Sequence, residues 1–308
     1  MKLKILLAQP GNVTRFKWEL EVLLTNLKEL NFPLKDVILL FASPDNKFEV
    51  YFENGYGVEA HTYPDNREDK SYIPSIRAYL WIQYLKDDYR REDEDYLYID
   101  SDIIFRELPD IPTDLSPNKW YCADTTGYTS YGYIKSRAYG DELVDKFDEI
   151  VGISEESVKA IDNGMGGAQW IMRCPTLDYW EKVYKDMYAI NHYFESIPEK
   201  TDANTTDDIK KLVQRWTSEM YAQVWNLPYF GIGPVIDKQL EFTWATDSIE
   251  TWDKNRLYHN AGATKDNKDL FFKGDYIWKE PYGEDFSYVN PDKASIKYVE
   301  AINKVKRA

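Results

Sequence analysis

The 308-residue chain has little cysteine, little histidine and a deficit of positive charge. Its two cysteines, Cys122 and Cys174, form no Cys-x-x-Cys pair and are too few for a disulfide framework. There are 38 basic residues against 53 acidic ones, so the formal net charge is −15 and sequence-blind nucleic-acid binding is not expected. No apolar run is long enough for a membrane span or a signal peptide, and we predict no transmembrane segment and a cytoplasmic location.

Apolar and aromatic residues, by contrast, are abundant. Hydrophobic residues make up 43% of the chain, which is enough to fill a core and argues against wholesale disorder. The chain also has 25 tyrosines and 10 tryptophans, whose polar atoms need partners. These rings either fill the core or line a cleft, and composition alone leaves both interpretations open.

Strands and helices alternate in the first half of the chain. Apolar runs predict buried strands at 3–8, 37–42, 96–99 and 120–123, and helical patterns cover 14–30 and 74–86. This alternation predicts an α/β fold with a mostly parallel, Rossmann-like sheet and helices on both faces. Ligands of such sheets bind at the carboxyl ends of the strands, which is where Gln9 and Asp100 fall.

The second half is less regular. Residues 127–140 are rich in Tyr and Gly and predict a long loop, whereas 163–172 lead into a strand. Helices are predicted at 177–194 and 207–225, the latter with Trp216, Met220 and Val224 facing inward. Without a repeat or linker, we predict a single domain over 1–308, with an irregular C-terminal portion.

The C-terminal tail, 293–307, is rich in lysine and has apolar residues at helical spacing. Such a helix either lies at a membrane surface or packs its apolar stripe on the domain.

Two aspartates, Asp100 and Asp102, stand between apolar β segments in the sequence LYIDSDIIF. Carboxylates at the end of a buried strand repel each other unless a cation lies between them. A divalent metal bound to a diphosphate suits such hard oxygen ligands. The same spacing occurs at Asp93 and Asp95, but in a charged run without a preceding strand, which predicts a solvated turn.

His259 is one of three histidines and directly precedes a small-residue loop. An imidazole there completes the shell of a metal held by two aspartates, and a nitrogen ligand favours Mn²⁺ over Mg²⁺. The alternative is a surface or hydrogen-bonded histidine.

Taken together, these motifs resemble the GT-A glycosyltransferases, especially the retaining, family 8-like group. Residues 97–104 match the Asp-x-Asp strand of that group, Gly166-Gly167-Ala168 stands where a small-residue turn is expected, and His259-Asn260-Ala261-Gly262 fits the late His-x-x-Gly. Ser218-Glu219-Met220 stands near the acidic helix motif with a different sequence. The usual Lys-Pro-Trp is missing, and Lys265 is the nearest basic residue.

The resemblance, which covers about residues 4–262, implies a metal-dependent glycosyltransferase that uses a nucleotide sugar, a UDP-sugar by expectation, with retention. It implies a nucleotide-binding half at 1–125, an acceptor half at 126–262 and a C-terminal extension at 263–308. Asp100, Asp102 and His259 are the expected ligands of Mn²⁺ (or Mg²⁺). The expected donor-binding residues are Ala8, Gln9, Gly11, Arg77, Ser101, Gly262 and Lys265, and the expected catalytic residues are Gln169, Glu219 and Asp100. The Tyr-rich loop and Trp216, Trp225 and Trp252 are expected to shape the acceptor site.

The acceptor is a saccharide, a lipid-linked group or a modified nucleobase, the last as in glucosyltransferases of viral type that act on DNA. Outside this class, a metal-dependent nucleotidyltransferase or phosphohydrolase also places paired carboxylates at strand ends. No Walker-type phosphate loop is present. A non-catalytic protein that binds nucleotide sugars is the remaining alternative.

Overall fold

The computed structural model describes residues 3–197 and 212–306. Its backbone forms two compact units. The first unit consists of Met1–Asn66, Tyr96–Ile111 and Lys238–Ala308, and the second of Arg67–Asp95 and Pro112–Asp237. Both units are discontinuous in sequence, so their limits differ from the predicted segment boundaries at 125 and 262. The single domain remains a prediction.

The strands are β1 (Leu3–Pro10), β2 (Val37–Ala42), β3 (Glu59–Tyr63), β4 (Asp95–Tyr98), β5 (Ile103–Phe105), β6 (Lys119–Ala123), β7 (Gly167–Arg173), β8 (Gly233–Ile236), β9 (Phe242–Trp244) and β10 (Leu257–His259). The α-helices are α1 (Thr14–Glu29), α2 (Lys47–Tyr56), α3 (Ser75–Asp87), α4 (Thr126–Thr129), α5 (Tyr131–Lys135), α6 (Gly140–Val151), α7 (Glu155–Ile161), α8 (Leu177–Ser196), α9 (Ser218–Tyr229), α10 (Ile249–Trp252) and α11 (Ser295–Lys304).

The sheet strands of the first unit run in the order β3-β2-β1-β4. β1 pairs with β2 and β2 with β3, both in parallel, and Gln9 lies opposite Phe41. Every residue of β2 is buried, as expected for a parallel strand covered on both faces. A second, three-stranded sheet in the same unit has the order β5-β10-β9. Parallel strands joined through helices confirm the predicted α/β class.

The C-terminal helix α11 belongs to the core of the first unit. Tyr298, Val299 and Ile302 are buried in one cluster with Trp18 and Phe271, and Ile296 and Val305 pack against it. The apolar stripe of the tail is therefore used within the unit, which supports the packing interpretation over the membrane one.

In the second unit, β6 pairs in parallel with β8 and antiparallel with β7. Helices α3 and α8 meet through Trp81 and Trp180, whose rings stack with centroids 5.0 Å apart and planes 8° apart. Stacked indoles bury a large apolar area and also fix the relative rotation of the two helices. No α-helix of the described residues is both long enough and apolar enough to cross a membrane.

Three local predictions are corrected by the structure. Residues 127–140 are not one loop, because α4, α5 and the start of α6 occupy them. The helix predicted at 207–225 lies partly outside the described residues, and its described part starts only at Ser218, so that Trp216 is exposed rather than inward. Asp95 is not in a solvated turn: it starts β4, is buried, and forms an ion pair with Arg173.

Candidate metal and donor site

The acidic turn follows β4 directly. Strand β4 is buried throughout, and its chain continues through Ile99 into Asp100, Ser101 and Asp102 before β5 begins. Asp102 is buried, whereas the Asp100 side chain is 23% exposed. The break between the two strands thus holds one carboxylate inside the unit and the other at its surface.

His259 reaches this turn through strand pairing. β10 runs antiparallel to β5, with His259 opposite Ile103, the residue after Asp102. The amide of Asn260 donates to the Asp102 carbonyl at 2.9 Å and extends the ladder by one step. The imidazole also packs against Phe242 and is nearly parallel to Trp244, with planes 14° apart. Backbone pairing and two aromatic rings therefore fix the ring orientation.

The three side chains converge. His259 Nε2 lies 3.3 Å from Asp102 Oδ1 and 3.6 Å from Asp100 Oδ2. One ligand atom from each residue lies within 4.8 Å of the others, which is close enough for a single ion to contact all three. Two carboxylates and an imidazole form a donor set that suits Mn²⁺ or a similar divalent ion. The residues present therefore fit the expected metal.

Two cations beside Asp102 were not expected from the sequence. The Lys273 ammonium forms an ion pair with Asp102 Oδ2. Arg15, in the first turn of α1, acts electrostatically on Asp102 and forms an ion pair with Glu19 at 2.6 Å. Burial alone would raise the pKa of the Asp102 carboxyl, but the charges of Lys273 and His259 outweigh it and hold that pKa well below its usual range.

Glu19 connects the cations to the middle of the acidic turn. It is fully buried and accepts hydrogen bonds from Arg15 Nε and from the Ser101 hydroxyl, both at 2.6 Å. Burial raises the pKa of Glu19, and the nearby Arg15 charge opposes that rise. Burial likewise disfavours the Arg15 charge, but Glu19 and Asp102 overcome this effect and raise the pKa of the guanidinium. The hydroxyl of Ser101, an expected donor-binding residue, therefore stabilises the acidic turn through its hydrogen bond to Glu19.

The first loop lies at the carboxyl end of β1, as predicted. Ala8 and Gln9 are buried within the strand, and the amide of Gly11 donates to the Ala42 carbonyl at 2.8 Å. A Cβ on Gly11 would lie 2.8 Å from the Cβ of Ser43, so only glycine lets the loop pack this closely on the end of β2.

The donor-binding roles expected for Gly262 and Lys265 in the late loop remain predictions. Gly262 has φ +84°, a left-handed conformation that favours glycine, and its neighbourhood is formed by Trp244 and Thr246. Lys265 is exposed, and it is Lys273, eight positions further on, that contacts the acidic turn. No sequence signal marks Lys273, because the contact joins residues 171 positions apart.

The other expected catalytic residues lie in the second unit. Gln169 on β7 is completely buried, and neither its amide nitrogen nor its amide oxygen has a hydrogen-bond partner among the described residues. Ala168, just before it, has φ +61°, and a Cβ on Gly166 would collide with the Ala123 carbonyl. The small-residue turn is thus sterically required where β7 begins. A buried amide without a hydrogen-bond partner is energetically costly.

Glu219 and Arg77, both expected site residues, are ion-paired with each other. Glu219 lies in the first turn of α9, its side chain is 2% exposed, and it is 2.7 Å from Arg77 Nη2. Gln223 donates to its other oxygen at 3.0 Å. The amide of Glu219 donates to the Tyr72 hydroxyl, whose pKa is raised by burial and by the Glu219 charge. The structure therefore brings these two residues together as a partly buried ion pair.

The solved structures that are similar to the chain include those of a glycosyltransferase. The crystal structure of the galactosyltransferase LgtC in complex with donor and acceptor sugar analogues aligns at a TM-score of 0.46 and 11% identity, covering 100% of this chain and 97% of that one. A structure of an active-site mutant of LgtC aligns at a TM-score of 0.48 and 12% identity with the same coverage. No protein-family model and no curated protein matches the chain.

Proposed function

We propose that the chain is a metal-dependent glycosyltransferase that transfers a sugar from a nucleotide-sugar donor, a UDP-sugar, to an acceptor with retention of configuration. The observation that carries the proposal is the convergence of Asp100, Asp102 and His259 on one point at the end of β4. The Asp-x-Asp strand and the late His-x-x-Gly of the sequence support it.

In this proposal, Asp100, Asp102 and His259 hold Mn²⁺ or Mg²⁺ against the donor diphosphate. When bound, the ion supplies Lewis-acid stabilisation of the departing diphosphate. The chain's own task is to present the ligands in a fixed geometry, for which the β5–β10 pairing and the aromatic rings around His259 are well suited.

Donor recognition is assigned to the first loop and to the late loop. Ala8, Gln9 and Gly11, which are buried at the end of β1, are assigned to line the nucleoside pocket. Gly262 and Lys265 are assigned to the diphosphate, and the exposure of Lys265 leaves its ammonium accessible to a ligand. Arg77 is assigned to the sugar or phosphate, and Ser101 supports the turn.

A group on the sugar face opposite the leaving diphosphate can stabilise the positive charge that develops at the anomeric carbon, and retention does not by itself require a nucleophile there. Gln169 and Glu219 are the candidates for that position. The buried, unpaired amide of Gln169 supports its assignment, since a sugar hydroxyl or ring oxygen offers the hydrogen bond that the protein itself does not provide.

Nucleotide binding tests the proposal first. Calorimetric titrations with UDP, GDP, CDP and ADP are made in Mn²⁺ and again in a chelator. The proposal is supported if one of these nucleotides binds in Mn²⁺ and does not bind in the chelator. A panel of the corresponding nucleotide sugars then identifies the donor. Turnover of a nucleotide without any need for its sugar favours a nucleotidyltransferase or phosphohydrolase, and absence of all nucleotide binding by folded protein favours a non-catalytic role.

The Asp102→Asn variant tests the metal site itself. Loss of one carboxylate ligand is expected to abolish metal-dependent turnover, because Asn is a weaker ligand for a hard divalent ion. Asp93→Asn is the matched control, since Asp93 belongs to the other Asp-x-Asp pair and is exposed. Circular dichroism checks that both variants are folded. Unchanged activity of Asp102→Asn would contradict the metal assignment.

A further inference from the structure

We propose that Lys273 is the built-in counter-cation of Asp102 in the metal-free protein and that it competes with the metal for this carboxylate. The inference rests on the proposed function for its second half only. The first half concerns the protein without any ligand, and it follows from the position and burial of the two side chains.

Asp102 needs a cation even when no metal is bound. Its side chain is only 4% exposed, and a buried carboxylate without a compensating charge is strongly unfavourable. Lys273 forms the ion pair with Oδ2, while His259 Nε2 is 3.3 Å from Oδ1. The two oxygens of Asp102 are thus divided between the ammonium and the imidazole.

The backbone that carries Lys273 is anchored, whereas its side chain is partly exposed. Lys273 starts the short 3₁₀ helix Lys273–Tyr276, and Trp18 Nε1 donates to the Tyr276 carbonyl at 2.9 Å. Phe271 and Tyr276 on either side lie in the core of the first unit. The Lys273 side chain itself is 24% exposed, and its four-carbon stem allows the ammonium to withdraw towards solvent.

The sharing of the Asp102 oxygens between Lys273 and His259 is expected to affect how the metal and the nucleotide bind. The positive charge of Lys273 beside Asp102 would repel a divalent ion held by Asp100, Asp102 and His259 and would weaken binding of the metal alone. An anionic diphosphate that arrives with the metal relieves that repulsion. Metal and nucleotide are therefore expected to bind cooperatively, because Lys273 weakens binding of the metal in the absence of the nucleotide.

A double-mutant cycle tests the counter-cation role without any metal. Unfolding in urea is measured in a chelator for the wild type, Lys273→Met, Asp102→Asn and the double variant. Lys273→Met is expected to lower the midpoint clearly in the wild-type background and much less in the Asp102→Asn background. Lys268→Met is the control, because Lys268 is exposed and its ammonium donates to the Lys265 carbonyl at 2.7 Å. Additive effects of the two substitutions would overturn the proposal.

Calorimetric titration of the nucleotide-free protein with Mn²⁺ tests the competition. Lys273→Met is expected to bind Mn²⁺ about tenfold more tightly than the wild type, because a neighbouring positive charge has been removed. Equal or weaker binding by Lys273→Met would overturn the competition. If neither protein binds Mn²⁺ alone, the competition fails, while the proposed function is decided by the nucleotide titrations in Mn²⁺ and in the chelator. The cycle still decides the counter-cation role, so the two failures are distinguishable.

Discussion

The ion pair between Arg77 and Glu219 predicts an asymmetric response to substitution. Arg77 is 24% exposed and Glu219 only 2%, so removing the arginine leaves the more deeply buried charge without its guanidinium partner. Arg77→Met is expected to lower the free energy of unfolding by about 3 kcal/mol, the low end for breaking a buried pair, because water still reaches the arginine side. Glu219→Gln keeps an acceptor for Gln223, and the Arg77 side chain can turn to solvent. This variant is therefore expected to lower the free energy of unfolding by only about 1 kcal/mol.

The assay is urea unfolding of the full chain followed by circular dichroism, with the double variant Arg77→Met/Glu219→Gln completing a cycle. The double variant is expected to be more stable than Arg77→Met alone, since the uncompensated carboxylate is gone. Arg90→Met is the matched control: its pair with Asp88 is exposed, and no measurable change is expected. Equal costs for the two single variants, or strict additivity, would refute the reasoning.

Two further predictions concern the second unit. Gly166→Ala is expected to lower the free energy of unfolding by about 1–3 kcal/mol, because the new Cβ collides with the Ala123 carbonyl. A Cβ on Gly127 meets no atom, so Gly127→Ala is expected to leave the stability unchanged or to raise it. Thermal melting of both variants measures the difference. Burial raises the pKa of Asp148 to about 6, so the folded state binds more protons than the unfolded one between about pH 4 and that value. Stability should therefore fall as the pH rises through this window and then level off, and melting curves of Asp148→Asn should lack that part of the pH dependence.

The fold class and the candidate metal ligands Asp100, Asp102 and His259, which the structure brings together, could be predicted from the sequence because local patterns mark them. The apolar run of β2 was predicted at its observed bounds, Val37–Ala42, and the acidic pair was placed at a strand break. Buried parallel strands show as continuous apolar runs, and a strand that ends in two carboxylates is unusual. His259 could be singled out because histidines are rare in this chain and an apolar strand precedes it.

What the sequence did not predict depends on contacts between distant residues or on weak local signals. Asp95 looks solvated in a charged run, but Arg173, 78 positions away, neutralises it at the start of β4. Lys273 and Arg15 carry no motif, and only tertiary packing brings them to Asp102. The short helix α5 was missed because it depends on a single cap, in which the Ser130 side chain accepts from the Tyr133 amide.

Strand β10 is only three residues long, and His259, the proposed nitrogen ligand, is its last residue. It pairs with β5 on one side and β9 on the other, and few hydrogen bonds hold so short a strand. Opening of β10 together with the Asn260–Asp102 hydrogen bond that follows it would withdraw His259 while Asp100 and Asp102 keep their places beyond β4. Under the proposed function, the affinity of the site for an ion is therefore expected to depend on the local unfolding equilibrium of one short strand, and sequence changes around Leu257–His259 are expected to tune metal binding without changing a carboxylate.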